Sequence, residues 1–105
     1  MGKTIISNDD RFEWDENKDH LTKKKQGFSF CEILEIFDDP AFLEGYDQKH
    51  SGREEDRYFG IGCLNGILCI IAFFKLRKRI RIISARQAYE DEKEAYYGYF
   101  KKTKS

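Results

Sequence analysis

Tyr58-Phe59-Gly60-Ile61-Gly62-Cys63-Leu64-Asn65-Gly66-Ile67-Leu68-Cys69-Ile70-Ile71-Ala72-Phe73-Phe74 is the stretch that decides the fold. Two apolar runs, 58–64 and 67–74, flank Asn65-Gly66. Asn-Gly is the strongest short hairpin signal because both central turn positions need positive φ. The second run is rich in Ile and Phe and far shorter than the ~20 residues that span a bilayer, so it reads as a buried strand. A third strand over 79–84 follows after another short turn. Upstream, 42–46 reads as a strand and 47–56 as a polar loop.

The segments before the hairpin are helical. Phe12-Glu13-Trp14 alternates as a short strand. Asp15 then caps a helix to about residue 25, whose last turn holds Lys23, Lys24 and Lys25 and whose stop is Gly27. Leu21 is its only clear apolar member. Ser29 and Glu32 form a capping box, and Phe28 staples onto Ile33. Phe30, Ile33, Leu34 and Phe37 share a helical face, and Pro40 closes the segment. A last helix over 87–97 carries Ala88, Tyr89, Ala95 and Tyr96. Strand, two helices, antiparallel strands and helix give an α+β class: a small antiparallel sheet with packed helices. The expected organisation is a flexible segment over 1–10, one domain over 11–100 and a basic tail over 101–105.

Composition narrows the function classes. The 105 residues carry 19 Lys+Arg and 19 Asp+Glu. A net charge of zero argues against a protein that coats nucleic acid through bulk charge. Three cysteines, Cys31, Cys63 and Cys69, with no Cys-x-x-Cys pair, give neither a disulfide framework nor a zinc site. Cys63 and Cys69 lie in apolar runs as thiols of a reducing cytosol. No leader with an apolar core is visible. His20 and His50 have no paired ligand spacing, and no Gly-rich phosphate loop or serine elbow is present. The expectation is no cofactor and no metal.

Charge is concentrated locally. Lys75, Arg77, Lys78, Arg79, Arg81 and Arg86 form a basic cluster, with acidic clusters at 54–56 and at Glu90, Asp91, Glu92 and Glu94. In Ile80-Arg81-Ile82-Ile83-Ser84-Ala85-Arg86, Arg81 alternates with Ile80 and Ile82 and so faces away from them. Ser84 and Arg86 are two apart and share a side. Such an array either recognises a phosphodiester, whose oxygens match the guanidinium fork, or is a solvated edge strand. Ser84 either enters a pocket or caps the last helix. His50 is either a general acid or base at neutral pH or a solvated loop histidine. Arg57 either pairs with Asp56 or Glu54 or joins Arg81 and Arg86. Trp14 reads as core, with base stacking as the alternative. Tyr96, Tyr97 and Tyr99 read as helix packing.

Several runs together resemble the BrnT family of bacterial type II toxins. They are Phe12-Glu13-Trp14-Asp15-Glu16, Lys18, Lys25 with Gly27, Phe28-Ser29-Phe30 and Phe37-Asp38-Asp39-Pro40. Further along come 47–50, Glu55-Asp56-Arg57-Tyr58 and 80–86 with Ala88. The resemblance runs from Phe12 to about Tyr97. It implies a RelE-like fold and a metal-independent endoribonuclease that inhibits translation in the bacterial cytoplasm. It also implies a BrnA-like ribbon-helix-helix antitoxin, with operator DNA contacted only through that antitoxin in an autoregulated operon. Two positions depart from the family pattern. Gln26 stands where the family often has histidine, and Phe74-Lys75-Leu76 stands where it tends to have Thr-x-Arg.

In RelE-like toxins the ribose 2′-hydroxyl attacks the neighbouring phosphorus. On that pattern Arg57, Arg81 and Arg86 would neutralise the phosphorane, Ser84 would hold a non-bridging oxygen, and His50 would move protons. The rival reading is a non-catalytic module that binds and stabilises an antitoxin-like repressor, docking an acidic helix on the same basic face.

Overall fold

In the computed structural model, which describes residues 2–49, 52 and 56–103, the hairpin forms the middle of a six-stranded sheet. The strands are β1 (Thr4–Ile6), β2 (Phe12–Asp15), β3 (Leu43–Tyr46), β4 (Arg57–Leu64), β5 (Ile67–Lys75) and β6 (Ile80–Gln87). Their order across the sheet is β1-β2-β6-β5-β4-β3. The turn has Asn65 at φ 51° and Gly66 at φ 83°, which sets Leu64 opposite Ile67. β1 lies within the N-terminal stretch expected to be loose and pairs antiparallel with β2.

The α+β class holds, but the all-antiparallel sheet is corrected. β2 and β6 run parallel, with Phe12 opposite Ile80 and Trp14 opposite Ile82. Both helical segments and the β3-β4-β5 meander intervene, so no local pattern reports this pairing.

The first helix, α1 (Glu16–Gln26), follows its sequence signals. Asp15 accepts from the Lys18 N–H at 3.0 Å, and Gly27 closes the helix at φ 86°. It buries no side chain, and Leu21 is exposed. Polar contacts dock it instead. Asp19 Oδ1 accepts from the Phe30 N–H at 2.7 Å, Gln26 Oε1 accepts from the Gln87 N–H at 3.0 Å, and Lys23 pairs with Glu32 at 3.1 Å. The capping box at Ser29 and Glu32 opens α2 (Phe30–Ile33). The expected longer helix tightens after one turn into a 3-10 segment, Leu34–Asp38. Phe30, Ile33 and Ile36, three apart, are then fully buried, while Leu34 and Phe37 pack at the margin. Phe30 and Ile33 share a face within α2, and the 3-10 turn that follows, in which side chains at i and i+3 eclipse, carries Ile36 into line behind Ile33.

That stripe covers one sheet face and makes the main core with Phe12, Trp14, Ile71, Phe73 and Ile82. Phe37 sits 4.9 Å from the Phe12 ring and 5.2 Å from the Phe73 ring, at angles that favour aromatic contact. Trp14 is core, so base stacking at that position is set aside. On the other face, α3 (Glu90–Thr103) lies across one end through Tyr96, packed with Leu68 and Ala88. Tyr96 donates its hydroxyl to the Ala41 carbonyl at 2.9 Å. Tyr97 and Tyr99 remain about half exposed.

The 3-10 segment approaches β4 closely because Gly62 has no Cβ. One added there would collide with Ile36 Cγ2. Gly62→Ala is therefore expected to cost about 1–3 kcal/mol in urea unfolding. Ile36→Ala should cost about 2–5 kcal/mol alone. The double variant should lose at least about 0.5 kcal/mol less than the sum, since the two sites share one contact. Strict additivity would show that the contact is not what constrains position 62.

Candidate functional site

The outer sheet face is built of cross-strand rows. Arg57 on β4 lies opposite Phe74 on β5, which lies opposite Arg81 on β6. Phe59, Ala72 and Ser84 make the next row, and Ile61, Ile70 and Arg86 the third. Four of the five candidate site residues thus share one face: Arg57, Arg81, Ser84 and Arg86. His50 lies outside the described residues.

Between this face and α3 is a groove of about 650 Å³. Arg57, Ser84 and Arg86 line it, with Phe59, Glu92 and Tyr99. Ser84 sits inside β6, six residues before α3 begins, so its reading as the cap of the last helix is corrected. β6 runs three residues past the expected strand end and the helix starts correspondingly later. Ser84 is exposed on the floor beside Ala72. Arg81 shares the face but stands outside the groove, paired with Glu13 on β2 and 3.4 Å from the Thr4 hydroxyl.

Each of the three arginines faces a carboxylate. Arg57 Nε is 3.6 Å from Asp47 Oδ2, Arg81 holds Glu13, and Arg86 makes two bonds to Glu92 at 2.7 and 2.8 Å. The Arg86 guanidinium also lies 4.1 Å from the Tyr89 ring centroid. Glu92 Oε1 accepts a further hydrogen bond from the Tyr89 N–H at 2.7 Å. The Arg86 bond and that backbone N–H hold the Glu92 carboxyl below its ordinary value, and Glu92 raises Arg86. Both stay charged at neutral pH. The arrangement offers guanidinium groups held in place by carboxylates, with an apolar wall of Leu43, Phe59, Ile61 and Ile70.

The departures from the family pattern are now placed. Gln26 accepts from the Gln87 backbone, next to Arg86. Lys75 falls on the opposite sheet face from the arginines, pairs with Glu44 and sits 4.3 Å over the Tyr58 ring. It does not replace a charge in the groove. Arg77 lies exposed in the β5–β6 turn. Sequence reasoning missed Glu92 and Tyr89 as partners of Arg86. Starting the helix at residue 87 placed Glu92 in its second turn, whereas α3 starts at Glu90 and puts Glu92 in the first. Cys69 is a buried thiol, pushed up to about 11 by desolvation, while Cys63 is half-buried and Cys31 exposed.

A mixed sheet carrying an arginine-lined groove beneath a terminal helix is an arrangement suited to anionic substrates. Comparison with known families makes the class specific: the chain belongs to a family of ribonuclease toxins of type II toxin–antitoxin systems. The matching family is BrnT, and the match covers residues 14–92. A search of curated proteins finds no match. A type II system implies an antitoxin partner. Among the described residues no helix is long and apolar enough to cross a membrane.

Ser84 has a strand position, an exposed side chain and no capping bond. Ser84→Ala is expected to change stability by no more than about 0.5 kcal/mol, against the ~1 kcal/mol typical for loss of an N-cap. Thermal unfolding of the two proteins makes the comparison, and a loss above 1 kcal/mol would return a structural role to this hydroxyl.

Proposed function

We propose that this chain is an endoribonuclease that cleaves RNA by 2′-hydroxyl attack without a metal and thereby inhibits translation in the bacterial cytoplasm. Its partner would be a BrnA-like ribbon-helix-helix antitoxin, and the pair would repress its own operon, with DNA touched by the antitoxin alone. The supporting observation is the convergence of Arg57, Ser84 and Arg86 on one groove of a chain in a ribonuclease-toxin family. The attack places a second negative charge on the phosphorane. Arg86 and Arg57 would neutralise it, Ser84 would donate to a non-bridging oxygen, and Arg81 would extend the cationic face along β6. Arginine does not serve as the base, because its pKa lies above about 12. His50 is the proposed group for proton transfer. The products would be a 2′,3′-cyclic phosphate, or its 3′-phosphate, and a 5′-hydroxyl.

A second reading has its own observation. The groove wall is largely apolar and its arginines already face carboxylates, which suits a protein segment as occupant. In that reading the chain is a non-catalytic module that stabilises an antitoxin-like repressor.

End-labelled single-stranded RNA incubated with the purified chain in EDTA separates the two. Cleavage with 5′-hydroxyl ends is expected, falling about 10²–10³-fold in folded Arg86→Ala, the scale for loss of one donor to a developing oxyanion. Growth arrest on expression without RNA cleavage would indicate a need for the ribosome. Neither cleavage nor arrest would leave the binding-module reading.

A further inference from the structure

Arg86 has five N–H hydrogens arranged along two usable edges. Glu92 takes one hydrogen from Nη1 and one from Nη2, and the Gln87 carbonyl takes a further Nη1 hydrogen at 3.2 Å. The remaining pair, Nε–H and the second Nη2–H, points along the other edge. Among the described residues neither has a partner. The face of the guanidinium is covered by the Tyr89 ring, and Glu92 is itself tied to the Tyr89 N–H in the first turn of α3. One edge and one face of Arg86 are therefore fixed, and the other edge is a fork whose spacing matches two phosphate oxygens.

We propose that Glu92 is a positioning residue: its end-on bond orients Arg86 so that the side-on edge, Nε and Nη2, receives the scissile phosphate in the groove. The inference rests on the ribonuclease reading above and assigns to α3, of which residues 93–103 lie beyond the family match, a part in setting the site. Glu92 stays in place during turnover, because the phosphate needs only the unoccupied edge. A guanidinium held in this way has little side-chain freedom left to lose as charge builds on phosphorus.

The test compares steady-state cleavage of a short single-stranded RNA by wild type, Glu92→Gln, Glu92→Asp and Glu90→Gln. Glu90 lies in the same helical turn, has an 85% exposed side chain and pairs with Lys93, so its variant repeats the charge change without touching Arg86. The expected result is a kcat lowered about tenfold or more in Glu92→Gln with KM changed less, since the oriented edge matters most in the transition state. Glu92→Asp, which keeps the charge, should retain more kcat than the glutamine variant, and Glu90→Gln should match wild type. Thermal unfolding checks that each variant is folded, and the aspartate variant carries the test if the glutamine variant is not. A kcat equal to wild type in Glu92→Gln overturns the proposal. A higher kcat also overturns it, showing that Glu92 competes with phosphate for Arg86. Equal losses in Glu90→Gln and Glu92→Gln would assign the effect to helix stability and overturn it as well. If wild type cleaves and one of these overturning results is obtained, the ribonuclease reading stands without this role. If wild type neither cleaves RNA nor arrests growth on expression, both fall.

Discussion

The β5–β6 ladder shifts register between Ala72 and Phe73, and the site depends on that one irregularity. Ala72 faces Ser84 while Phe73 faces Ile82, so Ile83 is left as the extra residue. A bulge of this kind reverses which side the following residues face. Without it, Ile82, Ser84 and Arg86 would alternate onto one face and send Arg86 toward the core. With it, Ile82 and Ala85 both pack inward, while Arg81, Ser84 and Arg86 all face outward. The strand thus serves two surfaces that simple alternation would put in conflict.

The two faces are covered by different means. The inner face is closed by large apolar groups in contact with one another, from Phe30 and Ile36 to Phe73. Among the described residues the outer face is covered at one end, by α3 through Tyr96, Ala88 and Leu68. What remains open is the part that carries the charged residues. Helix α1 occupies an intermediate position: it buries nothing of its own, yet Gln26 reaches the Gln87 backbone beside Arg86. It braces the end of β6 through that one hydrogen bond rather than enlarging the core.

The elements legible in the sequence were those specified by neighbours in the chain. Asn65-Gly66 needs only its own φ values, Asp15 and Ser29 bond within three residues, and Gly27 answers the end of its own helix. The α+β class follows from their order. What stayed illegible depends on distant partners. The parallel pairing of Phe12 with Ile80 joins opposite ends of the chain. The bulge after Ile82 is a property of two strands together, so reading β6 alone gave its cationic side chains but not their shared face. Ser84 as a helix cap was a reasonable local signal overridden by the extension of β6 to Gln87, which pairs with Cys69. Arg57, Ser84 and Arg86 could be nominated from the sequence because chemistry restricts which residues handle phosphate, and the structure places the three on one groove. The pairing of Glu92 with Arg86 was not legible, because an acidic residue in a run of acids gives no sign of its partner.

The net charge of zero also takes on a physical meaning. Part of it is local compensation: in the groove Arg57 meets Asp47 and Arg86 meets Glu92, and on the same face Arg81 meets Glu13. Bulk attraction falls when charges are compensated at such short range, because the field beyond the pair is that of a dipole. Orientation does not fall with it. A guanidinium held by Glu92 and Tyr89 presents fixed N–H directions even though its charge is balanced. Such a groove discriminates by geometry more than by long-range attraction.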